Sequence, residues 1–201
     1  IYAAMGRTPA NSFETYVFYE MHVSAYGFVF LSALVCGVLG VLFYQAVFGF
    51  RRLFEKLRSA YPRAGNWAAI GSAVLLGGAF SLITVNVMGG GHALVQSLGT
   101  LGGTAEESTA GIFSLPLVGT LAVTLILKFV ITCVNMGAGV PCGAFIPMLA
   151  IGACIGALLN RGWLALGMDA KYADLMVMIC MAAFFTSIVK APITGIVMVC
   201  E

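Results

Sequence analysis

Residues 133–159 read CVNMGAGVPCGAFIPMLAIGACIGALL, an apolar stretch that glycine and proline interrupt in its first half. Gly137, Gly139, Pro141 and Gly143 disfavour one continuous helix, and Pro147 falls where the first turn of a new helix begins. An unpaired N–H or C=O group in hydrocarbon is so costly that a break of this kind is stable only where protein or a water-filled cavity surrounds it. The stretch therefore predicts two helices separated by an irregular segment inside a membrane protein.

The start of the second predicted helix is a candidate anion site. Backbone N–H groups from about Gly143 to Phe145 lack intrahelical acceptors, and the positive end of the helix dipole lies at the same place. Phe145 would lie beside the anion path and shape its width. On spacing alone a simpler interpretation stays open, in which the glycines only permit tight helix packing and Pro147 only kinks the chain.

Composition places the chain in the membrane. It is 61% hydrophobic and 9% charged, whereas about 25% of the residues in soluble domains are charged. Ten basic residues, scattered along the sequence, do not form a surface for nucleic acid. The six cysteines lie in apolar stretches without a CxxC pair, and His22 and His92 are far apart, so the sequence predicts no metal site, redox site or cofactor.

Apolar runs predict the membrane spans. Residues 26–50 are uncharged and long enough to cross a bilayer, and the basic segment 51–63 that follows predicts a cytoplasmic loop. A second span is expected from about Trp67 to Met88, followed by a Gly-rich acidic loop on the opposite side. A third is expected from about Ala110 to Leu127, ending at Lys128.

Shorter apolar segments follow the interrupted stretch. Asn160 and Arg161 are expected to end its second helix, and segments 175–189 and 191–200 are too short to be comfortable spans. Short or interrupted helices of this kind are typical of transporters with binding sites near the bilayer midplane.

Charged residues beside apolar segments are costly and usually paired. For Lys128 and Lys190, snorkelling to the membrane interface is favoured over a role in attracting anions. Glu201 is a candidate structural ion-pair partner.

Both ends of the sequence suggest an internal part of a longer polypeptide. The chain opens at Ile1 without a signal peptide and stops at Glu201 directly after an apolar run. We expect residues 1–201 to form a single transmembrane domain fragment, with an N-terminal half and C-terminal helices elsewhere in the same polypeptide.

Several segments resemble the CLC family of chloride channels and chloride/proton antiporters. GAFIP at 143–147 matches that family's GxFxP motif, and LKFVITCVNMGAGVPCGAFIPMLAIGACIGALL resembles the approach to the motif and the helix after it. SIVKAPITGIVMVCE resembles a later family segment in which a basic residue precedes A-P-x-T-G, and GGGHALVQ at 89–96 falls at the corresponding family position. The resemblance covers nearly the whole chain, most specifically from about 124 to 201.

The resemblance implies an all-α polytopic membrane fold of tilted and broken helices, built as an inverted repeat and assembled as a homodimer with one pore per subunit. It implies transport of chloride or another small anion across a lipid bilayer, in the plasma membrane, without a cofactor. In that family the amides of the two central GxFxP residues bind chloride, which here are Ala144 and Phe145. The candidate anion-binding residues are Gly143, Ala144, Phe145, Ile146 and Pro147.

Other family elements do not occur in these residues. The sequence contains no GSGIP-like serine loop and no GREGP-like loop with a gating glutamate, and the family's pore tyrosine lies beyond Glu201. We therefore expect residues 1–201 alone not to conduct anions.

The family's internal proton-path glutamate falls at about Thr8 or Pro9, and Glu14 is a possible proton-path residue only with a gap. This departure favours a passive channel or an atypical exchanger.

Three alternatives stay open at this point. A fluoride exporter of the same family is the nearest, although the phenylalanine of the GxFxP motif favours chloride. An intramembrane enzyme would need clustered catalytic groups, and the sequence contains no HExxH, GxSxG or paired carboxylates at membrane depth. A purely structural membrane subunit is the third.

Overall fold

The structure is a computed structural model that describes residues 25–61, 65–83, 91, 117–139 and 143–200. All regular structure in these ranges is helical, which confirms the predicted all-α class. Glu14, Pro141, Glu201 and the predicted acidic loop lie outside the described residues. The elements are α1 (Ala25–Ala60), α2 (Gly65–Ile83), α3 (Leu117–Ala138), α4 (Phe145–Ala165), a 3₁₀ turn (Ala170–Tyr172), α5 (Ala173–Val189) and α6 (Pro192–Cys200).

Helix α1 is longer than its apolar run. It continues for 36 residues to Ala60, so the prediction of a loop from Arg51 onward is wrong. The basic segment stays helical because Phe54 is buried against α2 and α3, in a cluster with Ala69 and Val134. An ion pair between Arg51 and Glu55 at 3.2 Å adds support on the exposed face.

Helix α3 runs through Lys128, so the prediction that this residue ends a span is also wrong. The Lys128 side chain is 1% exposed and packs against Gly91, where an added Cβ would lie 3.3 Å from Lys128 Cε. The predicted snorkelling is therefore wrong for Lys128, because packing across the fold encloses its side chain. Tertiary contact has overridden the local tendency of a lysine to reach water.

Helices α4 and α5 pack closely against each other. A Cβ added at Gly152 would lie 2.7 Å from Met181 Cα, and one added at Gly156 would lie 2.8 Å from Val177 Cα. This four-residue spacing of glycines lets the two backbones meet, as small residues do in membrane helix pairs. The same contact forms the centre of the main core cluster.

Helix α4 does not end at Asn160, contrary to the sequence-based prediction. Asn160 is 6% exposed, and its Nδ2 donates to the Ala173 carbonyl at 2.7 Å, so this polar side chain joins α4 to the start of α5. The extra turn also brings Trp163 to α1, where its Nε1 donates to Ser32 Oγ at 2.8 Å. A polar side chain that looks like a helix end in the sequence here donates to a backbone carbonyl of the next helix.

Helices α5 and α6 are short, as predicted, with 17 and nine residues. Lys190 separates them in a left-handed conformation with φ 59°, and its N–H donates to the Thr186 carbonyl at 2.9 Å. Gly195 of α6 packs against the Thr186 side chain, which folds α6 back onto α5.

Three described helices are long and apolar enough to cross a bilayer: α1, α3 from Val118, and α4. Large apolar side chains on α1 face outward, including Phe30, which is 69% exposed. Such a surface is unfavourable in water and suits contact with lipid.

Candidate anion site

The predicted interruption lies between α3 and α4. Helix α3 ends at Ala138, Gly139 follows with φ 71°, and α4 begins at Phe145. A positive φ is readily adopted only by glycine, so Gly139 gives the chain its exit from the helix. Pro147 is the third residue of α4, where its missing N–H removes no helical bond. The prediction of two separate helices in this stretch is confirmed, since α3 ends at Ala138 and α4 begins at Phe145.

The start of α4 presents backbone donors. The first helical bond recorded there runs from the Met148 N–H to the Ala144 carbonyl at 3.2 Å. The N–H groups of Ala144, Phe145 and Ile146 precede that bond, and Ala144 at the N-cap position has no side chain that could accept from them. The helix start therefore combines three amide donors with the positive end of the dipole.

Phe145 fixes this first turn against α5. Its ring packs edge-on against Phe185, with ring centroids 5.1 Å apart and planes at 87°. The Phe145 ring is half-buried, whereas Gly143 is exposed and Ile146 is 41% exposed. A Cβ added at Gly143 would meet no described atom within 4 Å. The turn is thus held from one side and accessible from the other.

Arg58 is a residue of this region that the sequence analysis does not single out. Its Nη2 donates to the carbonyl of Ala138, the last residue of α3, at 2.6 Å. The same nitrogen lies 3.6 Å from the position of an added Cβ at Gly139. A guanidinium at a helix C-terminus satisfies an otherwise unpaired carbonyl and complements the negative end of the dipole. Because 80 residues separate Arg58 from Ala138, sequence spacing gives no signal for the contact.

Arg58→Gln in the full-length protein should lower the free energy of unfolding by about 1.5 to 3 kcal/mol, since hydrogen bonds of charged groups contribute about that much. Thermal unfolding in detergent measures the effect. Arg51→Gln on the same helix is the control and should change stability by less than about 0.5 kcal/mol, because the Arg51 side chain is 63% exposed. Equal effects of the two substitutions would contradict the capping role.

The structure brings some of the predicted residues together and separates others. Gly143 to Pro147 form one continuous turn at the start of α4. Lys190 lies at the end of α5, exposed, with Nζ 5.8 Å from the Tyr44 ring centroid. Glu14 falls outside the described residues, so its predicted place on a proton path stays a prediction. Among the described residues no group of three or more His, Cys, Asp or Glu side chains forms a candidate metal site.

The long apolar helices and the outward-facing apolar side chains define the class as an integral membrane protein. Its particular family follows from comparison. The chain belongs to the voltage-gated chloride channel family, whose model matches residues 2–201.

Relatives with curated names agree with this assignment. The chain is 30% identical over 187 residues to a voltage-gated ClC-type chloride channel, ClcB, from Citrobacter koseri, covering 90% of this chain and 40% of the relative. It is 28% identical over 184 residues to ClcB of Salmonella typhimurium, with the same coverage. It is 30% identical over 185 residues to an H(+)/Cl(-) exchange transporter, ClcA, from Yersinia pestis, covering 85% of this chain and 33% of the relative. The chain thus spans a third to two fifths of the length of these relatives, which are named as a channel or a transporter and not as enzymes.

Proposed function

We propose that this chain forms part of a chloride-transporting pore and that the start of α4, Gly143 to Pro147, is one wall of its anion site. The observation that carries the proposal is the helix start at Phe145, where three backbone donors precede the first helical bond. Family membership supports chloride as the ion, because the relatives are named for chloride.

The start of a helix binds an anion with a strength that still allows the ion to be released. Half a unit charge at 4 Å attracts a chloride ion by about 2 kcal/mol at an effective dielectric constant of about 20. Counted instead as hydrogen bonds from the same N–H groups, the attraction is about 1.5 to 3 kcal/mol for each bond, and it offsets the loss of the ion's water shell. A neutral donor set therefore holds the ion without trapping it, whereas a lysine in direct contact would bind it more strongly. Conduction needs binding of this intermediate strength.

The rest of the pore is expected from other parts of the same polypeptide. The serine loop and the gating glutamate loop do not occur in residues 1–201. We propose that the complete protein is an inverted-repeat homodimer in the plasma membrane. In that arrangement the helix start contributes amides, and the missing segments complete the anion shell.

Anion binding to the full-length protein tests the proposal. Isothermal titration calorimetry with chloride, bromide and fluoride should give binding of chloride and bromide at similar affinity and much weaker binding of fluoride. Absence of chloride binding would contradict the transport proposal, and a preference for fluoride would assign the protein to the fluoride-exporting class.

Proton coupling is a separate question, for which we propose a passive channel. The family's proton-path glutamate falls at Thr8 or Pro9 in this sequence, and neither side chain carries a proton at that site. Full-length protein in liposomes should therefore conduct chloride without moving protons when a chloride gradient is applied. Proton uptake that Glu14→Gln abolishes would overturn the passive assignment and identify Glu14 as the coupling residue.

A further inference from the structure

We propose that the C-terminal end of α1 binds the headgroups of anionic phospholipids. The surface consists of the exposed side chains of Arg51, Arg52 and Lys56 near the end of α1, and of Tyr61 and Trp67, which are exposed where α1 ends and α2 begins. We call it the α1–α2 corner. The inference goes beyond the proposed chloride function and does not depend on it.

The length of α1 places this corner at headgroup level. At 1.5 Å per residue, 36 residues extend over about 54 Å, whereas the hydrocarbon core is about 30 Å thick. The uncharged residues 26–50 already exceed the thickness of the core, so the last ten residues of α1 leave the hydrocarbon. A tilted helix reaches the same region, because tilt shortens the span only modestly.

The basic residues continue the lipid-facing side of α1. Phe30, Leu34, Val41 and Phe48 are exposed and fall within about 40° of one another at 100° per residue. Arg52 lies on the same side by this spacing. Along α1, the basic residues therefore come directly after an apolar stripe that suits contact with acyl chains. The acyl chains of one leaflet would end at the level where the basic side chains begin.

Two aromatic side chains complete the surface. Tyr61 is 63% exposed and Trp67 is 78% exposed. They lie close in the fold because the Gly65 N–H donates to the Tyr61 carbonyl at 2.7 Å, which joins α1 to α2. Exposed tyrosine and tryptophan are typical of the membrane–water interface. An added Cβ at Gly65 would lie 2.7 Å from Arg58 Cα, so the start of α2 packs at the same end of α1 as the basic residues.

The charge of the corner favours an anionic lipid over a neutral one. Glu55 pairs with Arg51 at 3.2 Å, which leaves Arg52 and Lys56 as exposed cations beyond that pair. Basic residues near a negatively charged leaflet each raise affinity about fivefold. Arginine in addition matches a phosphate group with two parallel N–H donors. A phosphodiester that is anchored by its acyl chains fits both the charge and the adjoining apolar stripe.

Fluorescence of Trp67 tests the proposal on the full-length protein in phosphatidylcholine vesicles. The Trp67 signal is obtained as the difference between the wild type and Trp67→Phe. Brominated phosphatidylglycerol should quench it at a mole fraction several-fold lower than brominated phosphatidylcholine. In the triple variant Arg51→Gln, Arg52→Gln, Lys56→Gln, the two brominated lipids should quench the Trp67 fluorescence equally.

A matched control keeps the test specific. Arg161→Gln with Lys171→Gln removes exposed basic residues at the opposite end of α1, where Ala25 packs with Met168 and Tyr172. This control should retain the preference for phosphatidylglycerol. Equal quenching of the wild type by both lipids, or a preference that survives in the triple variant, would overturn the proposal. Displacement of the lipid by millimolar inorganic phosphate would also overturn it, because the surface would then bind a soluble anion.

Discussion

Replacing the amide of Phe145 by an ester in the full-length protein should weaken chloride binding by about ten- to a hundredfold. The substitution removes one N–H donor at the start of α4 and keeps the side chain that packs on Phe185. A hydrogen bond to an ion contributes about 1.5 to 3 kcal/mol, and each 1.4 kcal/mol corresponds to a factor of ten in affinity. The Phe145 N–H forms no helical bond to lose, because it precedes the first one, in which the Ala144 carbonyl accepts from the Met148 N–H. Calorimetric titration with chloride measures the effect.

An ester at Ala157 is the matched control. It lies in the same helix, about 18 Å from Phe145 along the axis, and removes an N–H that is directed along the interior of the helix. This substitution should lower stability and leave chloride affinity within about twofold, since a helical hydrogen bond contributes about 1 kcal/mol to folding and nothing to the site. Equal losses of chloride affinity at the two positions would show that the amide of Phe145 does not bind the ion.

The double variant Gly152→Ala, Gly156→Ala should lower the free energy of unfolding by about 2 to 6 kcal/mol. Each new methyl group would lie within 3 Å of the backbone of α5, at Met181 or Val177, and backbone atoms cannot move aside as a flexible side chain would. Overpacking costs about 1 to 3 kcal/mol per site, and the two sites lie in one interface, so their effects are not independent. Urea unfolding in mixed micelles measures the loss.

Gly49→Ala with Gly162→Ala is the matched control for the glycine contact. Neither position has a described atom within 4 Å of an added Cβ, and both glycines are helical and exposed. Alanine is the better helix former by about 1 kcal/mol, so this pair should stabilise the protein slightly. If both double variants destabilised the protein equally, the close α4–α5 contact would not be the cause of the loss, because the control glycines lack such a contact.

Local signals in the sequence gave the helix interruption correctly. Gly139 and Pro147 act through their own backbone preferences, which do not depend on the rest of the fold. Gly139 follows the end of α3 and Pro147 lies in the first turn of α4, as predicted. The glycine pair of α4 is also a local signal, because its four-residue spacing places both glycines on one face of a helix, where small residues permit close packing.

Contacts between segments that are distant in the sequence could not be predicted from local patterns. Lys128 and Asn160 look like helix ends in sequence, yet both side chains are buried and their helices continue past them. Arg58 reads as one charge of a basic loop, and only the fold brings it to the carbonyl of Ala138. In each case the partner or the surrounding packing comes from another segment, and the local tendency of a polar residue gives the wrong environment.

The central claim is that the start of α4 binds the transported anion. Anomalous diffraction from crystals of the full-length protein grown in bromide tests it most directly, because bromide replaces chloride and its position is visible as an anomalous peak. We expect a peak in hydrogen-bond contact with the backbone nitrogens of Ala144 and Phe145. Ordered bromide at other places in the pore, with no peak at this helix start, would contradict the account.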